Sequence, residues 1–309
     1  MTTTTPNVSL AKSQASTLRK NNRPPISIAN MLTHAVLIFT CVVMTFPVFW
    51  VISTSFKTQN EIESSKVTLL PQNFTWSNYD HILFGMTKEI RGMGEVNLFW
   101  RWAGNSLTVA GITTVIGVLL AASCAYALSR FKFRGRRGIL IAFLITQMFP
   151  GAILIIPLYN MFKEWSLLDS FQGLIIAYST IALPFSVWML KGFFDAIPYD
   201  LEEAAIVDGC TPIGAYWRIA LPLTLPGLAV VSFYNFMTAW NEFMFALTFM
   251  TGEANKTLPV GLRSFIFQYN ADWHYLAAGS VLVTIPVMIG FFYAQKYLVS
   301  GLTAGGVKG

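Results

Sequence analysis

The chain has 309 residues, of which 54% are hydrophobic and only 12% are charged. Soluble domains carry about 25% charged residues, so the composition excludes an ordinary soluble domain and indicates a polytopic membrane protein. The net charge of +6 does not indicate nucleic acid binding, because the basic residues concentrate beside apolar runs, where they set membrane orientation.

The apolar runs predict an all-α membrane protein. Residues 1–30 are polar and basic without apolar periodicity, which predicts a mobile tail. The run 31–54 exceeds the roughly 7–15 apolar residues of a signal peptide, so we interpret it as a retained span. A transmembrane domain is predicted over 31–300, before a tail at 301–309. Six segments reach the length of about 20 residues that a spanning helix needs: 31–54, 104–128, 139–161, 171–192, 223–250 and 276–296.

Proline residues in the third to sixth of these segments predict kinked helices. Proline lacks the backbone N–H, and spanning helices tolerate it because neighbouring groups satisfy the freed carbonyl. The residues concerned are Pro150, Pro157, Pro184, Pro226 and Pro286.

The distribution of Lys and Arg predicts that both termini lie in the cytoplasm. With that orientation the inner segments and span ends hold 13 of the 21 basic residues, and the outer segments hold 8. The short loop SRFKFRGRRG, residues 129–138, carries five of them and predicts an inner position. We interpret its basic residues, Arg130 among them, as topology anchors near anionic lipid. The protein is expected in a bacterial plasma or inner membrane.

The largest outer segment, 55–103, is rich in aromatic residues. Aromatic side chains gather at membrane–water interfaces, so these residues are explained either as an interfacial belt or as a docking surface for an external partner. The sequence alone leaves both explanations open.

The segment 198–222 has the signals of two helices joined by a sharp turn. Pro198 suits a first helical turn, and three acids follow it, where they complement the positive helix end. Gly209 provides a left-handed stop, and Thr211 can cap a second helix that has Pro212 at its first position.

Two features of this hairpin predict contacts. The small pair Ala204-Ala205 would let a partner backbone approach the first helix closely. In the second helix one apolar face is predicted by the spacing i, i+3, i+4 and i+7, before Pro222 closes the helix. That face consists of Ile213, Tyr216, Trp217 and Ala220.

The hairpin also resembles a known motif. An acid and two alanines, a glycine after three further residues and a closing Leu-Pro pair match the EAA loop, which marks permease subunits of ATP-binding-cassette (ABC) importers. The resemblance implies a cytoplasmic coupling helix that seats in a cleft of an ATPase subunit. The residues implied in coupling are Glu203, Ala204, Ala205, Asp208, Gly209, Trp217, Leu221 and Pro222.

Three further stretches resemble the carbohydrate-uptake branch of this family, in particular its maltose-type permeases: Asn105-Ser106, TLPVGL at 257–262 and GLTAGGVKG at 301–309. The resemblance implies import of a carbohydrate, an oligosaccharide in the first instance. The implied partners are a second homologous permease, two ABC ATPase subunits that bind ATP and Mg, an external solute-binding protein, the sugar and membrane lipid. This chain is expected to bind no cofactor.

Polar residues near the end of the fifth predicted span suggest a solute path. Asn235, Thr238 and Glu242 are predicted to share one helical face, with Asn241 beside them. An intramembrane acid by default faces the protein interior or a watery path. We interpret these residues as pathway or gate residues, and a structural hydrogen bond between helices is the alternative. Gln147 is a weaker candidate.

The sequence contains no pattern for a catalytic or metal site. The three histidines have no paired spacing with acids or cysteines, and no G-x-x-x-x-G-K-[ST] phosphate loop occurs, so the chain is not expected to be an enzyme. The alternatives are an ABC permease for glycerol phosphate or another polar solute, and a secondary transporter, which needs coupling acids and inverted repeats. A membrane-embedded enzyme would need clustered catalytic groups.

Overall fold

Helices make up most of the part of the chain that the computed structural model describes, residues 28–90, 92–266 and 271–306. Two short strands pair antiparallel, with Thr87 opposite Asn97. In chain order the elements are α1 (Ile28–Ser55), α2 (Gln59–Glu63), α3 (Ser77–Asp80), β1 (Thr87–Ile90), β2 (Gly94–Asn97), α4 (Leu98–Arg130), α5 (Arg136–Met148), α6 (Gly151–Glu164), α7 (Phe171–Asp195), α8 (Asp200–Val207), α9 (Pro212–Ala215), α10 (Leu221–Leu223), α11 (Leu225–Trp240), α12 (Met244–Phe249), α13 (Leu258–Leu262) and α14 (Trp273–Gly306).

Four helices could cross a membrane, or up to six spans are possible if each bent pair counts as one, against the six that the sequence predicts. Helices α1, α4, α7 and α14 are each long and apolar enough to cross a membrane. Two bent pairs pass the same test, α5 with α6 and the helical segment 212–223 with α11. The predicted class, an all-α polytopic membrane protein, is therefore confirmed.

Two predicted spans are broken rather than continuous. The third bends by 100° between α5 and α6, where Pro150 directly precedes α6. The fifth bends by 76° beside Thr224, and α11 then ends at Trp240. Pro226 lies in the first turn of α11, two residues after this bend. Proline cannot bond to the carbonyl four residues earlier, so the predicted kink occurs within one turn of this residue. Pro222 does not close its helix, because the helix continues to Leu223.

Two ends of the predicted transmembrane domain differ from the observed helices. Helix α1 begins at Ile28, while residues 1–27 of the predicted tail lie outside the described residues. Helix α14 continues to Gly306, so most of the predicted tail at 301–309 is helical, and 307–309 lie outside the described residues. The chain divides into two units, one ending at Trp50 and one running from Val51 to Gly309.

In the second unit, α4 packs against α7 and α11, and α11 also packs against α14. Small residues allow close approach between these helices. Ala121 and Ala125 on α4 are fully buried, and a Cβ atom at Gly227 of α11 would lie 2.5 Å from the Phe193 ring of α7. Helices in a membrane associate through such close packing, because lipid tails give no hydrophobic driving force between them. Helix α4 is therefore the centre of this bundle.

The segment between α1 and α4 is folded around an aromatic cluster of Phe56, Phe74, Trp76 and Tyr79. Glu61 holds the adjoining loop by accepting hydrogen bonds from the Thr68 hydroxyl and the Gln72 and Asn73 amides. Burial alone would raise the pKa of Glu61, but these hydrogen bonds outweigh it and the pKa is lowered. Phe74 and Trp76 remain exposed, which fits either explanation of this segment.

Candidate functional site: the loop 198–222

The first arm of the loop is α8, which ends in the left-handed turn that the sequence predicts. Gly209 has φ +91°, a conformation that side chains with a Cβ rarely adopt. The turn is closed by hydrogen bonds from the Gly209 amide to the Ile206 carbonyl at 3.0 Å and from the Cys210 amide to the Ala205 carbonyl at 2.9 Å. Helix α8 therefore stops sharply and the chain reverses.

The second arm begins as predicted but does not keep the predicted apolar face. The Thr211 hydroxyl accepts a hydrogen bond from the Gly214 amide at 3.0 Å, and Pro212 opens the helix. Residues Tyr216–Ala220 then form a π-helical turn, whose wider spacing shifts the residues that follow. Tyr216 and Ala220 are buried, whereas Ile213 is 71% and Trp217 53% exposed. The prediction that these four share one face is wrong.

The two alanines of the motif also face different ways. Ala205 is buried against the rest of the chain, and only Ala204 is exposed. The two arms contact each other and together present a set of uncovered side chains, called here the exposed loop face. It comprises Glu203, Ala204, Val207, Asp208, Ile213 and Trp217. Of the other predicted coupling residues, Leu221 is half-buried and Pro222 is exposed.

A buried ion pair anchors the loop, and sequence reasoning missed it. The side chains of Arg130 and Glu202 are only 8% and 2% exposed, and Arg130 Nε lies 2.6 Å from Glu202 Oε1. The Tyr126 hydroxyl donates to Glu202 Oε2 at 2.7 Å, and Arg130 Nη2 donates to the Ile197 carbonyl at 3.1 Å. We call Tyr126, Arg130 and Glu202 the Arg130 clamp.

This geometry corrects the interpretation of Arg130 as a lipid-facing topology anchor. A buried charge is tolerated when it is paired and hydrogen-bonded, and α8 supplies the partner. From the sequence, Glu202 is predicted only as one of the three acids in the first turn of its helix. The sequence signal was the pair of adjacent acids Glu202-Glu203, of which one faces the chain and one faces outward.

Tyr126 also joins the two arms of the loop. Its ring packs on Tyr216 of the second arm and on Phe194 at the end of α7, with centroid distances of 4.6 and 5.6 Å. Both arms are thus held against the last turns of α4 and α7.

The predicted pathway residues do not share a helical face. Asn235 is fully buried and donates to the Ser186 hydroxyl and the Val231 carbonyl, both at 2.8 Å. Glu242 lies beyond α11, and its carboxylate accepts from the Phe245 and Ala246 amides at 2.9 and 3.1 Å. Glu242 lies one residue before the N-cap Phe243, and its carboxylate satisfies two of the free amides at the start of α12.

The other two pathway candidates lie near the end of α11. Thr238 is half-buried, and the exposed Asn241 donates to the Met237 carbonyl at 2.9 Å. Gln147, the weaker candidate, donates to the Ile181 carbonyl of α7 at 3.0 Å. The described contacts of all three are hydrogen bonds or packing within this chain, and their place in a path remains a prediction.

Two of the stretches that carry the family resemblance contact each other. The Asn105 amide donates to the carbonyls of Ala254 and Lys256 at 2.7 and 2.9 Å. The Ser106 hydroxyl accepts from the Leu258 amide at 2.7 Å. We call these contacts of Asn105 and Ser106 the Asn105 clamp. Sequence reasoning had noted both stretches but not their contact.

The fold defines the class of the protein: a multi-pass helical membrane protein with a rigid hairpin beside its bundle. The family of binding-protein-dependent transport system inner membrane components matches residues 113–304. The chain belongs to that family, and it is therefore a multi-pass inner-membrane transport protein.

Individual relatives match nearly the whole chain. It is 37% identical to the diacetylchitobiose uptake system permease protein DasC of Streptomyces coelicolor, over 89% of this chain and 95% of the relative. It is 36% identical to the maltose/maltodextrin transport system permease protein MalG of Escherichia coli, over 90% and 95% respectively. This confirms the resemblance to sugar permeases.

The fold has a solved counterpart. A chain of a bacterial ABC transporter for the import of the acidic polysaccharide alginate superposes with a TM-score of 0.74 at 24% identity, covering 90% of this chain and 98% of that chain. At this identity the likeness supports the fold alone.

Proposed function

We propose that this chain is a permease subunit of an ATP-driven importer that carries a carbohydrate into the cytoplasm, and that the exposed loop face binds a separate ATPase subunit. The supporting observation is the surface of that face. Val207 is 86% exposed on a hairpin with three acids in its first turn, close to exposed Ile213 and Trp217. Exposed apolar patches with polar rims are typical of protein interfaces.

The fixed shape of the hairpin supports the same role. An ATPase subunit can apply force through the loop only if the loop does not yield. The left-handed turn at Gly209 and the Arg130 clamp give it one defined conformation, and Glu203 stands on the outward side as an acid for a basic partner. ATP and Mg then bind on the two ATPase subunits, and this chain needs no cofactor.

The remaining partners follow from the family. A second, homologous permease would face this chain so that the solute path runs between them, and an external binding protein would deliver the solute. Closure of the ATPase subunits on ATP would turn the paired permeases outward, and hydrolysis would return them. This cycle is alternating access driven from the loop.

Contact with the ATPase subunit is tested by cysteine cross-linking. Ala204→Cys, combined with single cysteines on the ATPase surface, should give a cross-linked product in the assembled complex. Ala205→Cys is the matched control, because Ala205 is buried against this chain and should give little product. Equal cross-linking at both positions, or none at Ala204 in an assembled complex, would contradict the proposed contact.

The substrate class is inferred from relatives. Besides those already named, a trehalose transport system permease protein, SugB of Mycobacterium tuberculosis, is 37% identical over 85% of this chain and 92% of the relative. All three names refer to carbohydrates. Vesicles carrying the full importer and its binding protein should accumulate one of radiolabelled maltose, trehalose or diacetylchitobiose when ATP is present inside.

Two outcomes of that experiment would support the alternatives. Uptake of glycerol 3-phosphate instead of any sugar would replace the carbohydrate assignment. Uptake driven by a proton gradient without ATP would indicate a secondary transporter and would contradict the proposed function as a whole.

For the solute path we propose Asn235, Thr238, Asn241 and Glu242, with Glu242 as the residue that the path would use most directly. Glu242→Ala should lower uptake while assembly and ATP hydrolysis persist, because the charge at the helix break is lost. Glu242→Gln is the control, since its single amide oxygen can still accept one of the two backbone hydrogen bonds although the charge is lost.

The two variants separate the roles of Glu242. If both lose uptake in assembled complexes, the charge serves the path. If Glu242→Ala accumulates poorly while Glu242→Gln transports normally, the acid is only a cap, whose loss costs about 0.5–2 kcal/mol.

The orientation is a separate prediction. Both termini are expected in the cytoplasm, because the loop 129–138 and the terminal segments carry the basic excess. Alkaline phosphatase fused at about residue 80 should be active outside, and green fluorescent protein fused at about residue 135 should fluoresce inside. The reverse pattern would contradict the assignment of inner and outer segments.

A further inference from the structure

Helix α4 connects the loop end of the bundle to its other end without a break. Its 33 residues give a length of about 50 Å. The other three unbroken spanning helices each contain an internal proline, Pro47, Pro184 or Pro286, and α4 contains none. All of its backbone hydrogen bonds can form, so α4 lacks the proline at which spanning helices commonly kink.

Each end of α4 carries directional polar contacts. At its last turns, the Arg130 clamp fixes α4 to α8 through the ion pair and the Tyr126 hydrogen bond. In its first turns, the Asn105 clamp fixes it to the segment 254–258. The two clamps lie about 38 Å apart along the helix, at 1.5 Å per residue.

The second contact is reinforced by neighbours of Asn105. The Trp102 indole N–H donates to the Glu253 carbonyl at 2.9 Å, and Arg101 Nε donates to the Ala254 carbonyl at 3.3 Å. A Cβ atom at Gly261 would lie 2.1 Å from the Trp102 ring, so α13 lies directly on that ring. The segment 253–262 is therefore bonded to the start of α4 over fewer than two helical turns, at residues 101 to 106.

We propose that α4 transmits the movement of the loop 198–222 to the segment 253–262, with the Arg130 clamp and the Asn105 clamp as its two positioning contacts. The proposal rests on the proposed function, because the movement comes from the ATPase subunit. Apolar helix contacts in a membrane have no fixed direction and can slide, whereas charge-assisted hydrogen bonds keep a fixed geometry. A displacement of α8 along α4 must therefore move 253–262.

The alternative routes from the loop are less direct. Helix α11 continues the chain, but it joins the loop through the 76° bend beside Thr224 and ends at Trp240. Helix α7 contacts the loop through Phe194 and contains Pro184. Neither route combines an uninterrupted helix with polar contacts at both ends.

The experiment uses the assembled importer in vesicles, with Cys41, Cys124 and Cys210 replaced by serine and one reporter cysteine, Ser264→Cys, at an exposed position after α13. Labelling by a membrane-impermeant maleimide is compared before and after trapping with ATP, Mg and orthovanadate. The rate should change in the otherwise unaltered chain. It should not change in the double variant Arg130→Met with Glu202→Met, even though ATP is still hydrolysed.

The double variant leaves no unpaired buried charge, so it tests the clamp rather than the folding of the chain. Asp195→Asn is the control, because the exposed Asp195 contacts Ser129 and Lys191 and not Glu202; it should keep the change in labelling. The proposal would be overturned if trapping still changed the labelling rate in the double variant. It would also be overturned if trapping left the labelling rate unchanged in the chain that has no clamp substitution.

The same preparation separates this inference from the proposed function. If the ATPase subunits do not co-purify with the unaltered chain, or the complex hydrolyses no ATP, the proposed function itself fails. If they co-purify and hydrolyse ATP but the reporter does not respond, only the role of α4 fails.

Discussion

Arg130→Met is expected to destabilise the chain by about 3–5 kcal/mol, because it leaves the Glu202 carboxylate buried without its cation. The Glu202 side chain is only 2% exposed, and its remaining partner, the Tyr126 hydroxyl, is neutral. Unfolding of the purified chain in detergent micelles with increasing sodium dodecyl sulfate should show the loss as a lower midpoint.

The matched control is the double variant Arg130→Met with Glu202→Met. Replacing both members of a buried ion pair by apolar residues is often neutral or stabilising, so the midpoint should return close to that of the unaltered chain. The structural account of the clamp would be wrong if the single variant were as stable as the unaltered chain. It would also be wrong if the double variant were as unstable as the single one.

The local features of the loop could be predicted from the sequence because they depend on a few neighbouring residues. Glycine at position 209 permits a positive φ, and the pair Thr211-Pro212 combines a capping hydroxyl with a residue suited to a first turn. Likewise, the predicted spans depend on the length and mean hydropathy of a whole segment, which single residues change little. The structure confirms the turn and the cap, and its four helices and two bent pairs that could cross a membrane overlap the six predicted segments.

The contacts between distant segments could not be predicted in this way. Arg130 and Glu202 are 72 residues apart, and no periodicity in the sequence connects them. Basic residues generally flank membrane spans, and this rule places Arg130 at the lipid interface. In the structure Arg130 is instead buried against its partners. The same holds for Asn105, whose partners Ala254 and Lys256 contribute only backbone carbonyls, which leave no sequence pattern.

The error at Glu242 has a different cause. The spacing Asn235, Thr238, Glu242 predicts one face only while the helix lasts, and α11 ends at Trp240. No proline or glycine marks this end, and the apolar residues continue to residue 250, so the predicted span extends to that residue. The acid itself was the available signal, because a carboxylate followed by an apolar run is typical of a helix start.

Gly209→Pro is expected to abolish transport while the chain remains in the membrane. Proline fixes φ near −65°, and Gly209 has φ +91°. Proline also removes the amide that bonds to the Ile206 carbonyl. The chain would then leave α8 in a different direction. The two arms of the loop would no longer hold the relative position that forms the exposed loop face. The ATPase subunits should co-purify poorly, or hydrolyse ATP without sugar uptake.

Gly209→Asn separates the conformation of the turn from the size of the side chain. Asparagine tolerates the left-handed conformation better than other side chains do, and the structure has no atom within 4 Å of a Cβ built at Gly209. This variant should therefore keep most of the uptake and retain the ATPase subunits. Normal uptake and normal ATPase retention in Gly209→Pro would contradict the coupling role of the loop, because that role requires both arms to meet the ATPase subunit in one fixed arrangement.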